Sequence, residues 1–416
     1  MSDDDEHDVV YIDCDASTMT GLHQPTVRRN RGTDAFEFKY ANSPSEKAME
    51  SNMIKFLFGH EIGNKSTLVF NSGMLTWNTR RINTKRFLIT AHPEIQISEC
   101  ELIRNGIDSR SIVGMWSGAQ YDAIIYRLEL NLCPRSSATE NDEGQSFIKN
   151  YELLGPFYSR YDVRDIREAA FRDRKYVLYI GNNNKPENER RNSAMLCHLS
   201  SSGRSTGMQY LTSRELFCCN GSQNGHTFAT GADVGVFIYH SDELSLYNQN
   251  INQVNSVEFD RNGNVLYCGI AQPVLAIYDL RDYPRNYYYM KINGLNPMGI
   301  IDSQLLSNEH AMLISGSDGK LSQIDLRKGE IVLSYPGHAG SGEKSPFTFS
   351  ESADLVCATG IDKLTHLWSL RTGEQLCTIE PRNKVKKVHS CLKYNDRQWS
   401  AILFQQNKMY VAELDL

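Results

Sequence analysis

The sequence predicts an all-β fold built from repeats, and three observations predict it. Short β-rich runs such as "RFLITAH", "DAIIYRLEL", "KYVLYIG", "NVLYCGI", "AMLISGS" and "DLVCATG" recur after residue 85, separated by turn residues. No helical pattern alternates with them, which argues against a parallel α/β sheet. The third observation is internal repetition: "ISGSDGKLSQIDLRKGE" (314–330) lies over "ATGIDKLTHLWSLRTGE" (358–374) at a constant offset of 44. Gly316 then falls on Gly360, Asp318 on Asp362 and Arg327 on Arg371. One unit upstream, "YCGIAQPVLAIYDLRD" (267–282) places Asp279-Leu280-Arg281 over Asp325-Leu326-Arg327 at a spacing of 46.

Residues 1–42 are polar and irregular, and are expected to form a largely disordered leader. Residues 43–84 are expected to precede the repeats; "PSEKAMESNMIKFLFGHEIG" (44–63) carries the one passable helical pattern, with Ala48, Met53, Ile54, Phe56, Leu57 and Phe58 as its apolar residues. The repeat domain is expected over 85–416. Counting back from residue 414 gives units near 385–414, 345–378, 297–333, 254–283, 206–240, 158–199 and 97–131, seven in all. "PRSSATENDEGQ" (134–145) and "NNNKPENERRN" (182–192) are surface loops by composition. A spare strand-like run at 86–92 precedes the first unit.

Each unit reads as strand, turn, strand, turn, strand, with a Ser/Thr-Gly-x-Asp hairpin between its middle strands. This closely resembles the WD repeat, a four-stranded propeller blade. The resemblance implies a seven-bladed WD-repeat β-propeller whose ring closes when the spare strand joins the last blade, removing two exposed edges. Gly337-His338 matches the "GH" that starts such a unit, and Trp368 matches its "W". Family geometry would let His338 bond the turn carboxylate Asp362, with Trp368 packing nearby and Asp318 in the corresponding turn of the preceding unit.

The stretch "PGHAGSGEKSP" (336–346) also nearly spells a phosphate-cradling loop. Glu343 sits before the lysine, however, and Pro346 and "FTFS" lead into a strand where the cradle must open a helix. Nucleotide binding is therefore not expected. "GHEIG" (59–63) lacks the second histidine of a zincin, and "DRNGN" (260–264) reads as a hairpin turn rather than a calcium loop. The tyrosines of "DYPRNYYYM" (282–290) are expected to alternate between packing and solvent. His198, His240, His310 and His366 have no partners at ligand spacing.

Net charge is -6, and no basic face is apparent, which argues against duplex nucleic acid as the main partner. The acidic start "MSDDDEHD" is unlike a signal peptide, and no apolar run reaches the roughly 20 residues that span a bilayer. Ten cysteines occur without a C-x-x-C pair and are read as reduced core thiols. The expected protein is intracellular, in nucleus or cytoplasm, and uses no metal, cofactor or catalytic residue.

The constellation with a functional edge is the paired Asp-Leu-Arg. Consecutive boxes of this kind resemble the signature of substrate receptors for the cullin-4 ubiquitin ligase. Residues 255–379 resemble in particular the fourth of the numbered factors associated with that cullin and its damaged-DNA-binding adaptor. The resemblance implies that Asp279, Arg281, Asp325, Arg327 and Arg371 help dock the propeller to the adaptor, with an unknown protein as substrate. Tyr278 and Ile324 stand where the family has Trp, and Arg371 follows Ser369 rather than Asp. The alternative is a scaffold propeller in another complex, such as one reading histone tails; an Asp-x-Arg pair can also simply cap a strand end.

Overall fold

Hydrophobic runs buried on both faces set the architecture. The second strands of the repeats show it best: "AMLISG" (Ala311–Gly316) and "LVCAT" (Leu355–Thr359) are buried at every position. A strand of that kind must be covered by a sheet on each side. The computed structural model describes the strands named below, residues 205–240, 252–282, 287–295, 299–338 and 347–381 continuously, and Gly340 and Lys344.

The described residues form seven antiparallel sheets. The first blade joins Ile97–Asn105, Ser111–Gly118, Ala123–Leu130 and Ile148–Phe157. The second joins Tyr161–Phe171, Arg174–Asn183, Asn192–His198 and Ser205–Thr212. Three described strands, Leu216–Gly221, Thr227–Ala232 and Gly235–His240, make the third. The fourth contains Val254–Phe259, Val265–Ile270, Val274–Asp279 and Tyr287–Lys291. The fifth contains Ile300–Leu305, Ala311–Gly316, Leu321–Asp325 and Glu330–Tyr335. The sixth contains Phe347–Ser350, Leu355–Thr359, Thr365–Ser369 and Gln375–Pro381. Val388–Asn395, Gln398–Gln405 and Lys408–Leu414 complete the ring as the seventh.

The first strands of neighbouring blades adjoin around the ring, including the seventh against the first. Between the fifth and sixth, the Gln304 amide donates to the Phe347 carbonyl at 2.7 Å. This is a seven-bladed propeller, with its core lying between blades. Leu275, Ile277 and Ile292 of the fourth blade pack on Ile300, Met312, Ile314 and Ile324 of the fifth. Leu313, Leu321 and Tyr335 of the fifth pack on Phe347, Val356 and Trp368 of the sixth. Close approach demands glycine here: a Cβ on Gly269 would stand 2.3 Å from the Ser256 hydroxyl and 2.7 Å from Ile300.

Closure comes from the strand Asn83–Leu88, which pairs antiparallel with Lys408–Leu414, Leu88 opposite Lys408. It lies a few residues earlier than the run at 86–92. The leader, expected to be largely disordered, supplies three further strands. Val9–Cys14 adds to Ser205–Thr212, Phe36–Tyr40 to Gln375–Pro381, and Arg29–Asn30 to the closing strand itself. An outer strand presents an unpaired row of N–H and C=O groups, and "VVYIDC" and "FEFKY" have the β-branched and aromatic content that suits such an edge. The segment 44–63 lies outside the described residues.

Several counted units also stop short of their fourth strands: those near 97–131 and 254–283 end before Ile148–Phe157 and Tyr287–Lys291. Ser205–Thr212 belongs to the second blade rather than the third, and Glu330–Tyr335 closes the fifth. Outer strands are only half covered, so Glu330–Tyr335 alternates exposed and partly buried residues instead of running apolar. "DRNGN" is a hairpin turn, as expected. The Asp260 carboxylate accepts the N–H groups of Asn264 and Val265 at 2.6 and 2.8 Å. The insert 182–192 is anchored at both ends: the Asn182 amide donates to the Leu216 carbonyl, and that of Asn192 to the Arg214 carbonyl.

Candidate functional site: an arginine-bearing rim

The turns that follow the third strands of the fourth, fifth and sixth blades share one backbone plan. Leu280, Leu326 and Leu370 each donate an N–H to the carbonyl just before the second strand, of Asn264, His310 and Asp354 respectively. Each leucine turns toward the core; Leu370 is buried, and Leu280 and Leu326 pack against the core clusters. The residue after each leucine is left to face solvent. Those residues are Arg281, Arg327 and Arg371.

In the fourth blade, Asp279 is the last residue of its strand and grips Arg281 three times. Oδ1 accepts the Arg281 backbone N–H at 3.1 Å and its Nε–H at 2.9 Å, and Oδ2 accepts from Nη2 at 2.6 Å. Asp325 and Arg327 repeat the geometry at 2.8, 3.1 and 2.8 Å. The forked guanidinium holds both carboxyl groups down to about 2, below the ordinary aspartate value. The arginine side chains remain 65% and 66% exposed. The clamp fixes one edge of each guanidinium and leaves its remaining donors facing outward.

The sixth blade solves the same problem with a different acid. Ser369 occupies the aspartate position, and its hydroxyl donates to Asp354 Oδ2 at 2.8 Å. Asp354 Oδ1 accepts the Arg371 backbone N–H at 2.8 Å, while Arg371 Nε lies 3.9 Å away. Arg371 is therefore tethered through its backbone and only loosely through its side chain. Burial raises the Asp354 carboxyl above its ordinary value, the reverse of its counterparts. Nothing adjacent to Arg371 in the chain signals this partner, since Asp354 lies 17 residues earlier.

The residues read as a structural network are only partly brought together. His338 does pack against Trp368, edge to face at 6.3 Å between centroids, and the Trp368 Nε1–H donates to the Pro336 carbonyl at 2.9 Å. Its Nδ1, however, donates to the Gly319 carbonyl at 2.5 Å rather than to Asp362, whose carboxylate accepts the Leu364 N–H. Gly337 at φ 88° turns the chain back toward the hairpin of the preceding blade, which puts Gly319 within reach. Asp318 caps that hairpin, accepting from the Lys320 backbone at 3.2 Å and its ammonium at 3.0 Å. His366, read from sequence only as a histidine without a partner at ligand spacing, stacks on Trp368 at 5.3 Å.

The tyrosines at 287–289 do not alternate: Tyr287, Tyr288 and Tyr289 are all exposed on the fourth blade's outer strand. Tyr278 stacks on Tyr287 at 5.7 Å and occupies the buried position that Trp368 fills in the sixth blade. Among the described residues, Cys218, Cys219, Cys268, Cys357 and Cys377 are buried and form no disulfide, and no group of side chains could hold a metal ion.

No family model matches the chain. Among curated proteins, it is 26% identical over 157 residues to human DDB1- and CUL4-associated factor 4-like protein 2, covering 37% of this chain and 39% of that protein. It is 25% identical over 122 residues to bovine DDB1- and CUL4-associated factor 4, covering 29% of this chain and 25% of the relative. The human form of the latter is 25% identical over 115 residues, 28% of this chain and 23% of its own length. The similarity thus spans well under half of each relative.

Proposed function

We propose that this chain, a WD-repeat propeller similar to the DDB1- and CUL4-associated factors, is a non-catalytic subunit that recruits substrates to a cullin-4 RING ubiquitin ligase. The damaged-DNA-binding adaptor is the partner it docks to. One observation carries the reading: two identical Asp-Leu-Arg clamps recur at equivalent turns of adjacent blades, each offering an exposed, pre-oriented guanidinium. Equivalent turns of a propeller share a rim, so Arg281 and Arg327 can address one partner surface. Arg371, held more loosely, extends the row. The names of the relatives supply the chemistry of the partner.

Arginine anchors within an interface are often worth about 2 kcal/mol or more each. Replacing Arg281 and Arg327 together with Ala is therefore expected to weaken co-purification of adaptor and cullin by about tenfold or more. The melting temperature should stay near wild type, because the clamps lie at the surface. Lys328→Ala serves as a control and should change little. Undiminished capture by the folded double variant would place docking elsewhere. Failure of the wild type to capture adaptor at all would favour a scaffold role in another complex.

A further inference from the structure

Three outer margins of the ring are finished by strands of this chain itself. Val9–Cys14, Phe36–Tyr40 and Arg29–Asn30 add antiparallel to the margins of the second, sixth and seventh sheets. The fourth blade differs. Among the described residues, Tyr287–Lys291 is its outermost strand, and no strand pairs beyond it.

The hydrogen bonds show which groups this margin offers. Ile292 donates its N–H inward to the Pro273 carbonyl at 3.0 Å, and Met290 and Tyr288 stand opposite Leu275 and Ile277 of the third strand. Asn293 donates the other way, to the Gly329 carbonyl of the fifth blade at 2.9 Å. Backbone groups of successive residues face opposite sides of a strand. The N–H and C=O groups of Tyr287, Tyr289 and Lys291 therefore point away from the sheet. The turn at Gly329 crowds the Lys291 carbonyl, so the open part of the margin is Tyr287 to Tyr289.

The side chains of this strand match its backbone. Among the described residues, five large apolar or aromatic side chains are exposed, and three of them are Tyr287, Tyr288 and Tyr289, at 42, 60 and 49%. Single exposed side chains of this kind are ordinary, whereas three in one strand form a contact surface. Tyr287 and Tyr289 share a face and meet edge to face at 5.8 Å, continuing the stack that starts at buried Tyr278. Cations flank the row. Arg281 lies in the turn before it, Lys291 ends it, and exposed Lys328 precedes Gly329. In those turns Asp279 and Asp325 are held by their own arginines, and Glu330 is the exposed carboxylate.

We propose that the outer strand of the fourth blade is a docking edge for an extended acidic segment of a partner protein, which adds antiparallel as a fifth strand. Apolar residues at alternate positions of that segment would pack on Tyr287 and Tyr289, and carboxylates at its ends would meet Arg281, Lys291 and Lys328. Main-chain bonds to an open edge supply affinity in such an addition, and the alternate side chains supply choice. The strands this chain adds to its other blades show the same antiparallel geometry.

Purified full-length protein tests this without adaptor, so the outcome is independent of docking by the rim arginines. The probe is an acetylated and amidated nonapeptide, Val-Tyr-Val-Tyr-Val between two aspartates at each end. In the free protein, residue-resolved hydrogen exchange should find the Tyr287 and Tyr289 amides about tenfold or more faster than those of Tyr288 and Met290. Saturating peptide should slow the two fast amides by about tenfold or more. Tyr289→Pro removes an outward donor but spares the bonds to the third strand, so its melting temperature should stay near wild type. Its affinity for the peptide should fall about tenfold or more, as should that of Lys291→Glu combined with Lys328→Glu. A peptide with lysine in place of every aspartate should not bind. Three results would each overturn the proposal. Tyr287 and Tyr289 amides already slow in the free protein would show that this chain covers the edge itself. Fast amides that the peptide leaves unprotected would show an edge that takes no strand. Binding lost with the lysine peptide but unchanged in folded Tyr289→Pro would show attraction by charge alone. The exchange measurements need only the wild type, and so decide the matter even if Tyr289→Pro fails to fold.

Discussion

Asp354 supplies, from the turn before the sixth blade's second strand, the carboxylate that Arg371 lacks two residues before it, accepting the arginine's backbone N–H at 2.8 Å. The relationship keeps the rim's backbone plan while changing its electrostatics. Asp279 and Asp325 are stabilised as anions by their arginines, whereas Asp354 pays for burial.

The three acids should therefore titrate apart. With pKa values lowered to about 2, Asp279 and Asp325 contribute stability that is complete above the ordinary aspartate range and lost only as pH falls through about 2. Asp354, raised by burial, works in the other direction: its contribution is present at low pH and fades as pH rises through its folded value. Carboxyl carbon shifts followed by NMR give the order. Asp279 titrating in the ordinary range would show that its clamp does not persist in solution.

Substitutions at Asp354 should separate backbone from charge. Its φ of 56° suits Asn far better than Ala. Asp354→Asn keeps an acceptor for the Arg371 N–H and should cost little, while Asp354→Ala should cost about 1–3 kcal/mol in chemical denaturation. Equal losses for the two would mean that the hydrogen bond is not what matters.

His338→Ala removes the bond to Gly319 and the edge contact with Trp368. A loss of about 1–3 kcal/mol is expected. Calorimetric titration of the wild type with ATP or GTP should show no saturable heat, because Lys344 is engaged with Asp165. Nucleotide binding that disappears in Lys344→Ala would contradict this.

Removing residues 1–40 deletes edge strands on two outer blade margins and the short pair at the closing strand, but leaves the ring closed. That protein should remain soluble with a lower melting temperature. Removing residues 1–95 takes the closing strand as well and should leave insoluble material. A well-folded 96–416 fragment would show that the ring closes without it.

Gly269→Ala tests the contact between the fourth and fifth blades. The added methyl would meet the Ser256 hydroxyl and the Ile300 side chain at distances that force a neighbour to shift. Overpacking should cost about 1–3 kcal/mol, measurable as a shifted denaturation midpoint with an unchanged slope.

The parts of this fold that sequence reveals are those governed by neighbours in the chain. The Asp-Leu-Arg turns, the Gly316 and Gly360 hairpins and the buried runs at 311–316 and 355–359 carry local signatures, so the repeat and its offset could be read. Fourth strands such as Tyr287–Lys291 fell outside the counted units because exposed edges show weaker patterning. The leader strands were lost because their polar surroundings resemble disorder. The Lys344–Asp165 contact spans 179 positions, and no local pattern encodes it. His338 was paired with Asp362 by analogy, when the φ of Gly337 sends it to Gly319 instead.

The seventh sheet has a consequence for biosynthesis. Its strands Asn83–Leu88 and Lys408–Leu414 leave the ribosome about 320 residues apart. At translation speeds of roughly 5–20 residues per second, the earlier strand waits on the order of a quarter of a minute to a minute for its mate. During that interval six blades can form in sequence, each on the one before, while the first blade's inner face and the waiting strand stay uncovered. Final assembly is thus a single late event that closes a very long loop, slow by its topology and vulnerable to aggregation until it occurs. Newly made chains of this protein should depend on holdase chaperones far more than their finished form does.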